Sequence, residues 1–430
     1  MVGRGARGGE GPRRADGRGG VTDLRTAARE AFVYGLPLIE VATTRQRGMA
    51  LGQSMGAFTH VRNLANHRHR AVTTPNTDTL YSTAHVDLSA GPVTITLPAA
   101  GDRYLSLALM DAYTNNFAIL GTRTTGPDGG TFRLVGPTDA AEGANVVRSP
   151  TNHVWALARI LVDGPHDLEA CRAVQAGISM QAPETPCPGP YAARTADWRE
   201  LFQTIADLLA ANPPPATDLA KLREMAPLGL TNFDPARFGA ADVREIEAGL
   251  AEGRKAVRGR GGLGGGAMID GWSYPTARLG DFGQDYGLRG TVALSGLAAL
   301  PPEEAMYMQA GGPSGLFDGT RAWRLHFPAD APLPVNSFWS LSLYEAMDDG
   351  QYFFTDNPLN RYAIGDRTPG LARNPDGSLD IWIGHENPGA GREANWLPAP
   401  AGPFALFLRA YLPRAELLSG AYRVPAVVAA

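Results

Sequence analysis

The sequence has few cysteines and no long apolar run. Its two cysteines, Cys171 and Cys187, are too few to staple a chain of 430 residues. Low cysteine usage fits a reducing compartment, where disulfides are rare. We therefore predict two free thiols, with a single bridge between them as the alternative. No run of about 18 apolar residues is present, so the sequence predicts no membrane-spanning helix.

Signatures of several enzyme classes are also missing. We expect no nucleophile elbow of an α/β-hydrolase, and there is no His-Glu-x-x-His zinc motif. The glycine-rich stretch at 259–266 lacks the Lys-Ser/Thr pair of a phosphate-binding Walker loop. No dinucleotide fingerprint lies between a predicted strand and a predicted helix. A nucleotide or nicotinamide enzyme is therefore disfavoured, and no cofactor is evident.

The chain also lacks an excess of charge of one sign. It has 39 lysines and arginines against 43 aspartates and glutamates, a net charge of −4. Electrostatics thus give no reason to expect nucleic acid or an anionic membrane as a partner.

Residues 1–20 are rich in glycine and arginine and lack the apolar core of a secretory signal. We predict a disordered tail there, with a basic nucleic-acid-binding arm as the alternative, and a cytoplasmic protein.

Glycine and proline are abundant, with 52 and 34 residues, which favours many short strands joined by turns. Short segments rich in β-branched, aromatic or alternating apolar residues predict strands. These lie at 79–88, 93–97, 104–110, 116–121, 131–135, 153–162, 323–327, 338–344, 379–383 and 404–412. Apolar residues at helical spacing predict helices. These lie at 23–36, 168–180, 196–211, 219–225, 241–257 and 288–300.

The length allows two or three domains. The order of predicted elements indicates an α+β, β-rich chain with two antiparallel β-sandwich domains and helices between them. We predict an N-terminal helix and sandwich over 21–165, a helical connecting segment over 166–300, and a second sandwich over 301–430.

Three motifs resemble a known family. The sequence TPNTDTLYS at 74–82 resembles the hallmark of the domain of unknown function numbered 1254. The sequences NSFWSL at 336–341 and NWLPAP at 395–400 are similar to its usual C-terminal companion, numbered 1214. The resemblance covers nearly everything after Asp23. It implies two jelly-roll-like β-sandwich domains with helical insertions, and it implies little about chemistry.

The first candidate site lies within the motif at 74–82. Asn76 and Asp78 follow a proline and precede a predicted strand, so one interpretation is a turn in which their side chains bond the local backbone. The other makes Asp78 a buried general base or cation ligand, with Tyr81 as a hydrogen-bond donor and Asn76 orienting a substrate.

A second group of polar residues follows the strand predicted at 104–110. Asp111, Tyr113 and Asn116 lie where that strand ends, and polar side chains at strand ends often line the mouth of a pocket. In this interpretation Asp111 and Tyr113 are catalytic and Asn116 binds substrate. The alternative is a hairpin turn.

The sequence has one cluster of histidines, at His60, His67 and His69. His67 and His69 would point the same way on a strand, which can create a pair of metal ligands, so a divalent metal is an alternative cofactor. Arg68 and Arg70 flank them, and a solvated basic loop is the other interpretation.

Two arginines and a tryptophan complete the candidate binding residues. Arg289 lies near the start of a predicted helix, on the same face as Tyr286. Arg409 lies in an apolar strand and needs a partner, for which we expect a carboxylate of the other domain or of a ligand. Trp339 is interpreted as core packing, with ring stacking on a ligand as the alternative.

Carboxylate, tyrosine and arginine side chains without an evident cofactor suit hydrolysis or elimination best. We predict an enzyme that acts on a small organic molecule in a pocket of the sandwiches, with Asp78 or Asp111 as the acid/base group. One alternative is a non-catalytic protein that binds a carbohydrate or metabolite. Another is a metal-dependent enzyme that uses the histidines of 60–69. We also expect a homo-oligomer.

Overall fold

The computed structural model describes residues 22–258, 266–312 and 315–430, so the tail predicted over 1–20 lies outside the described residues. Within these ranges the chain forms a layer of helices and four β-sheets. The helices are α1 (Leu24–Ala50), α2 (Leu168–Ala176), α3 (Trp198–Ala211), α4 (Leu219–Met225), α5 (Ala240–Arg258), α6 (Tyr286–Ser295) and α7 (Ala415–Leu418).

Helix α1 forms the centre of the helical layer. It begins where the Asp23 carboxylate accepts a hydrogen bond from the Thr26 amide at 2.7 Å, a typical N-cap. It continues through Pro37, beyond the end predicted at residue 36, because its middle turns are apolar on all sides and are buried among α3, α4, α5 and α6. Gly35 allows α3 to approach closely, since a Cβ there would lie 2.7 Å from the Ile205 side chain.

The first nine strands form what we call the N-terminal sheet pair. They are β1 (Thr59–Val61), β2 (Thr79–Asp87), β3 (Val93–Leu97), β4 (Leu105–Asp111), β5 (Asn116–Gly121), β6 (Gly130–Val135), β7 (Val146–Arg148), β8 (His153–Leu161) and β9 (Ser179–Gln181). The two sheets have the orders β1-β2-β8-β4-β5 and β7-β6-β3-β9. Their apolar faces share one core, in which Leu80, Leu107 and Ile160 of one sheet pack with Ile95 and Leu134 of the other.

The remaining strands form the C-terminal sheet pair. They are β10 (Met268–Ile269), β11 (Trp272–Ser273), β12 (Ala305–Ala310), β13 (Phe317–Asp318), β14 (Trp323–Phe327), β15 (Trp339–Ala346), β16 (Tyr352–Phe353), β17 (Ala363–Gly365), β18 (Leu379–Gly384), β19 (Trp396–Pro398), β20 (Pro403–Tyr411) and β21 (Val427–Ala429). One sheet has the order β10-β11-β12-β20-β15-β16, with β13 on β20 and β17 on β15, and the other has the order β19-β18-β14-β21. Met308, Leu341 and Leu408 of the first pack with Leu325 and Ile381 of the second.

The predicted strands at 93–97, 116–121 and 323–327 are confirmed at both ends. The helix predicted over 168–180 is too long, because α2 ends before Gly177 and residues 179–181 pair with β3 as strand β9. The helix predicted over 288–300 corresponds to α6, which already ends at Ser295.

The chain is therefore a mixed α and β protein, rich in β, with sandwich-like pairs of sheets. Among the described residues, no helix combines the length and the apolar character needed to cross a bilayer. Both cysteines are free as predicted, with Cys171 buried and Cys187 exposed.

The two sheet pairs meet through the faces that are not used in their own cores. At this junction Ala108 of β4 and Leu161 of β8 pack with Ala305 of β12 and Tyr411 of β20. The junction therefore brings alternate residues of β2, β8 and β4 against alternate residues of β12, β20 and β15. This arrangement positions the candidate site.

Candidate functional site

Polar side chains line the layer between the two sheet pairs. On the N-terminal side, Tyr81 of β2 stands opposite Arg159 of β8. On the C-terminal side, Tyr307 of β12 and Ser340 of β15 flank Arg409 of β20. Because successive strand residues point to opposite faces, these side chains point away from the two apolar cores. We call this set the central polar layer; it comprises Asn76, Asp78, Tyr81, Arg159, Tyr307, Ser340, Ser342, Tyr344, Arg409 and Tyr411.

The motif at 74–82 enters the central polar layer through a turn. The Asn76 side-chain oxygen accepts a hydrogen bond from the Asp78 amide at 2.6 Å, which is the predicted local turn. Asn76 Nδ2 donates to the Tyr411 hydroxyl at 2.7 Å. Across the layer, Asp78 Oδ2 accepts a hydrogen bond from Ser340 Oγ at 2.5 Å. The turn interpretation and the buried-carboxylate interpretation therefore both describe this motif.

Burial changes the protonation of Asp78. Its residue is only 9% exposed, and this burial raises the pKa of its carboxyl above the usual range. The hydrogen bond from Ser340 and the positive charges of Arg409 and Arg367 act in the opposite direction. Asp78 therefore keeps its proton to a higher pH than an exposed aspartate does, a property that suits an acid/base group.

Arg409 points away from Leu406 and Leu408, as its strand position predicts, but its partners differ from the expected carboxylate. Its Nη1 donates to Ser342 Oγ at 2.8 Å, and its Nη2 donates to the Thr74 carbonyl at 3.1 Å. Among the described residues, no carboxylate oxygen lies within 4 Å of this guanidinium. The expected carboxylate is therefore not a direct partner. A hydroxyl and a carbonyl hold the guanidinium, and the Asp78 carboxyl from the N-terminal side acts on it through its charge.

Arg159 was not among the predicted site residues. It is 6% exposed, its Nη2 donates to the Ala298 carbonyl at 2.7 Å, and its guanidinium lies 5.6 Å from the ring centre of Tyr81. Its Nη1 is buried without a hydrogen-bond partner in the described part of the chain, and no carboxylate there lies within 4 Å. A single arginine in the apolar run at 153–161 was the signal that could have identified it.

The backbone is strained where it holds both arginines. Thr74 has φ 50° and Ala298 has φ 66°, both in the left-handed region, which costs of order 1 kcal/mol for a residue other than glycine. For a β-branched threonine this conformation is an outlier. The carbonyls of these two residues accept the hydrogen bonds from Arg409 and Arg159. Strain of this kind concentrates at functional sites.

Tyrosine hydroxyls provide further donors in the central polar layer. Burial raises the pKa of Tyr307 and of Tyr411, so both stay neutral and can donate hydrogen bonds at ordinary pH. Tyr81 and Tyr307 are only half-buried.

The other predicted acid/base group lies in a second cluster, under the helices. Arg289 is 2% exposed, and its guanidinium lies 5.1, 5.3 and 5.0 Å from the ring centres of Tyr34, Tyr113 and Tyr286. The Asp218 carboxylate accepts hydrogen bonds from the hydroxyls of Tyr34 at 2.8 Å and Tyr286 at 3.0 Å. We call these residues, with Asp111, the Arg289 cluster. It joins α1 and α6 to the sheet edge.

Asp111 forms the hairpin turn between β4 and β5 that the alternative interpretation predicted. Its Oδ1 accepts hydrogen bonds from the amides of Tyr113 and Asn115, both at 2.9 Å. Burial raises the pKa of Asp111 to about 6, while hydrogen bonds from Asn115 and the charge of Arg289 oppose this shift. The structure therefore separates Asp111, Tyr113 and Arg289 from Asp78, Tyr81 and Arg409.

Two predicted substrate-binding residues lie outside both clusters. Asn116 Nδ2 donates to the carbonyls of Ala299 at 3.0 Å and Gly280 at 3.3 Å, so it fixes a loop. Trp339 points into the core of the C-terminal sheet pair and packs on Phe327 with 5.3 Å between ring centres. The packing interpretation of Trp339 is the one that the structure supports.

The three histidines do not converge. His60 Nδ1 is 2.8 Å from Ser82 Oγ, whereas His67 Nδ1 is 2.8 Å from the Tyr362 hydroxyl, and His69 is exposed. The described residues contain no group of three or more His, Cys, Asp or Glu side chains placed to hold a metal ion. The metal site predicted at His60, His67 and His69 is therefore wrong as a geometric arrangement.

A nucleophile-elbow sequence does occur in the chain, contrary to what we expected. The sequence at 52–56 reads GQSMG, which matches Gly-x-Ser-x-Gly. It follows α1 and precedes β1, whereas the elbow of an α/β-hydrolase is a turn from a strand into a helix. Ser54 is exposed there and belongs to neither cluster.

Two family models match the chain. Residues 55–182 match the family described as Protein of unknown function (DUF1254), and residues 304–415 match that described as Protein of unknown function (DUF1214). The chain therefore carries both of these domains, in this order. The first match covers β1–β9 and the second covers β12–β20, so each match corresponds to one side of the central polar layer.

The fold is shared with a protein of known structure. The crystal structure of the VPA0106 protein from Vibrio parahaemolyticus is 22% identical in sequence, with a TM-score of 0.71 over 95% of this chain and 100% of that chain. An uncharacterized protein from Burkholderia cenocepacia is 14% identical, with a TM-score of 0.46 over 95% of this chain and 93% of that chain. No curated protein matches the chain.

Proposed function

We propose that the central polar layer binds a small organic anion and performs acid/base chemistry on it, either hydrolysis or elimination. The observation that carries this proposal is Arg159 Nη1, a buried donor of a cationic group that has no partner among the described residues. A buried charge is costly unless it is paired and hydrogen-bonded. A carboxylate or similar anion between the sheets would satisfy both requirements.

The charges of the layer support an anionic ligand. Arg159 and Arg409 are both nine-tenths buried, and neither has a carboxylate within 4 Å in the described ranges. The one acid of the layer, Asp78, has a raised pKa and is engaged by Ser340. The layer therefore carries an excess of positive charge, which an anion would neutralise.

The proposed roles follow from the contacts. Arg159 binds the anionic group, and Arg409 supports it electrostatically from the opposite sheet. Tyr81 and Tyr307 donate hydrogen bonds to the ligand from the half-buried surface. Asp78 exchanges a proton with the reacting group, and the hydrogen bonds of Ser340 and Asn76 fix its position.

A metabolite-binding protein without catalysis is the second candidate. The hydrogen bond from Ser340 to Asp78 favours it, because this carboxylate already has a protein partner at 2.5 Å. In this case Asp78 would maintain the geometry of the layer, while the arginines and tyrosines would hold the ligand.

Ligand binding is tested by thermal unfolding in a panel of small carboxylates and their neutral amides. We expect some carboxylates, and not the matching amides, to raise the Tm of the wild type. In Arg159→Met the affinity for these carboxylates should fall at least tenfold, about 1.4 kcal/mol, because hydrogen bonds to charged groups contribute about 1.5–3 kcal/mol. Arg133→Met, at an exposed position of β6, is the matched control and should bind normally.

Catalysis is tested with Asp78→Asn on the carboxylates that bind. An acid/base role predicts that this variant folds and binds the ligand but no longer converts it. A variant that turns over the ligand at the wild-type rate would reject the acid/base role. Failure of every carboxylate to stabilise the wild type would reject the proposed function as a whole.

The proposal also covers the topology of the sheets, the oligomeric state and the location of the protein. A jelly-roll-like topology with a helical insertion is supported by the non-sequential order β2-β8-β4 and by the position of α2–α6 between the two sheet pairs in the chain. A homo-oligomer is supported by exposed apolar side chains such as Val61 and Val72. A cytoplasmic location is supported by the two free thiols.

A further inference from the structure

A cavity of about 170 Å³ lies in the helical layer. Its walls come from α1, from α5 and from the segment before α3. They are formed by Phe32, Arg194, Thr195, Arg254, Val257 and Arg258. None of these residues belongs to the central polar layer or to the Arg289 cluster, so a ligand here would occupy a different site.

Positive charge dominates the rim of this cavity. Arg194 is engaged, since its Nη1 donates to the two carboxylate oxygens of Glu40 at 2.9 and 2.8 Å. Arg254 and Arg258 are four residues apart on α5, so they lie on the same helical face and repel each other. Neither has a carboxylate within 4 Å among the described residues. Burial lowers the pKa of Arg254, and the positive charge of Arg258 lowers it further.

Arg254 is held in place by hydrogen bonds to the backbone, but one of its side-chain donors has no partner among the described residues. Its Nη2 donates to the carbonyls of Arg194 at 3.1 Å and Ala196 at 2.8 Å, and its guanidinium lies 5.9 Å from the ring centre of Phe32. Its Nε is buried without a partner in the described part of the chain. Basic residues at a helix C-terminus complement the helix dipole. That effect explains the charge of Arg258 but neither the cavity nor the unpaired Nε.

We propose that this cavity binds a small organic carboxylate whose apolar part has about the size of one ring. An enclosed apolar cavity of about 150 Å³ accommodates benzene. This one has a similar volume but is open to solvent on one side, with Phe32 and Val257 as its apolar wall. The guanidinium groups of Arg254 and Arg258 match the geometry of a carboxylate. Thr195, an exposed residue, also lies at the rim.

The test is isothermal titration calorimetry of the full chain with benzoate, with benzamide as the neutral isostere and with inorganic phosphate. We expect benzoate to bind at least tenfold more tightly than benzamide or phosphate. Arg258→Ala should weaken benzoate binding at least fivefold. Arg244→Ala removes an exposed arginine of the same helix outside the cavity, and it should leave the binding unchanged.

The site of binding is checked with Arg159→Met, which removes the proposed anchor of the central polar layer. Benzoate binding that is unchanged in Arg159→Met and weakened in Arg258→Ala supports the cavity on α5. Binding lost only in Arg159→Met would overturn the proposal and assign benzoate to the central polar layer. No benzoate binding, equal binding of phosphate, or equal loss in Arg258→Ala and Arg244→Ala would overturn it as well.

Discussion

Replacement of Glu304 by alanine should lower the free energy of unfolding by about 1–3 kcal/mol, the usual cost of leaving a buried hydrogen-bonding group, here the Tyr104 hydroxyl, without its partner. Glu304 is fully buried. Its Oε1 accepts a hydrogen bond from the Tyr104 hydroxyl at 2.8 Å, and its Oε2 accepts one from Arg123 Nε at 2.5 Å. The two donors belong to the N-terminal sheet pair and Glu304 to the C-terminal side, so this contact holds the two sheet pairs together.

Urea unfolding of Glu304→Ala and of Glu303→Ala measures this effect. Glu303 is the exposed neighbour, and its replacement should change the free energy of unfolding by less than about 0.5 kcal/mol. If Glu304→Ala cost less than about 1 kcal/mol, the contact between the sheet pairs would not be important for stability.

Replacement of Asp111 by asparagine should change how stability depends on pH. The pKa of Asp111 is about 6 in the folded protein, against its usual value of 3.8. The folded state therefore retains a proton that the unfolded state releases. The stabilisation is complete below pH 3.8 and is lost as the pH rises through 6. The shift of about 2 pKa units corresponds to about 3 kcal/mol.

Asparagine cannot ionise and keeps an oxygen for the amides of Tyr113 and Asn115. The free energy of unfolding of Asp111→Asn, relative to that of the wild type, should therefore rise by about 2 kcal/mol between pH 4 and pH 7. Denaturant titrations at four pH values across this range provide the measurement. Asp102→Asn, at an exposed site, is the control and should show no such trend. A constant difference for Asp111→Asn would contradict the raised pKa.

Strand alternation made part of the site predictable. The pattern of 404–412 predicts that Arg409 points away from Leu406 and Leu408, and the structure confirms it. Arg159 has the same signature within the run at 153–161. Period-two alternation separates the two faces of a strand, but it does not say which face meets another sheet.

Contacts between distant segments could not be predicted from local patterns. The tyrosine rings around Arg289 come from positions 34, 113 and 286. The hydrogen bond of Tyr34 to Asp218 spans 184 residues. Asp78 and Asp111 were alternatives for one acid/base group, and local patterns could not show that the fold places them in different clusters. The histidines at 60, 67 and 69 were close in sequence, yet each has different surroundings.

The most direct test of the central polar layer is a crystal structure of the protein with a bromine-substituted form of the carboxylate that raises the Tm most. We expect the anomalous bromine signal between the two sheet pairs, with a carboxylate oxygen within hydrogen-bond distance of Arg159 Nη1. A ligand bound only elsewhere, with Arg159 Nη1 still unpaired, would contradict the proposed function.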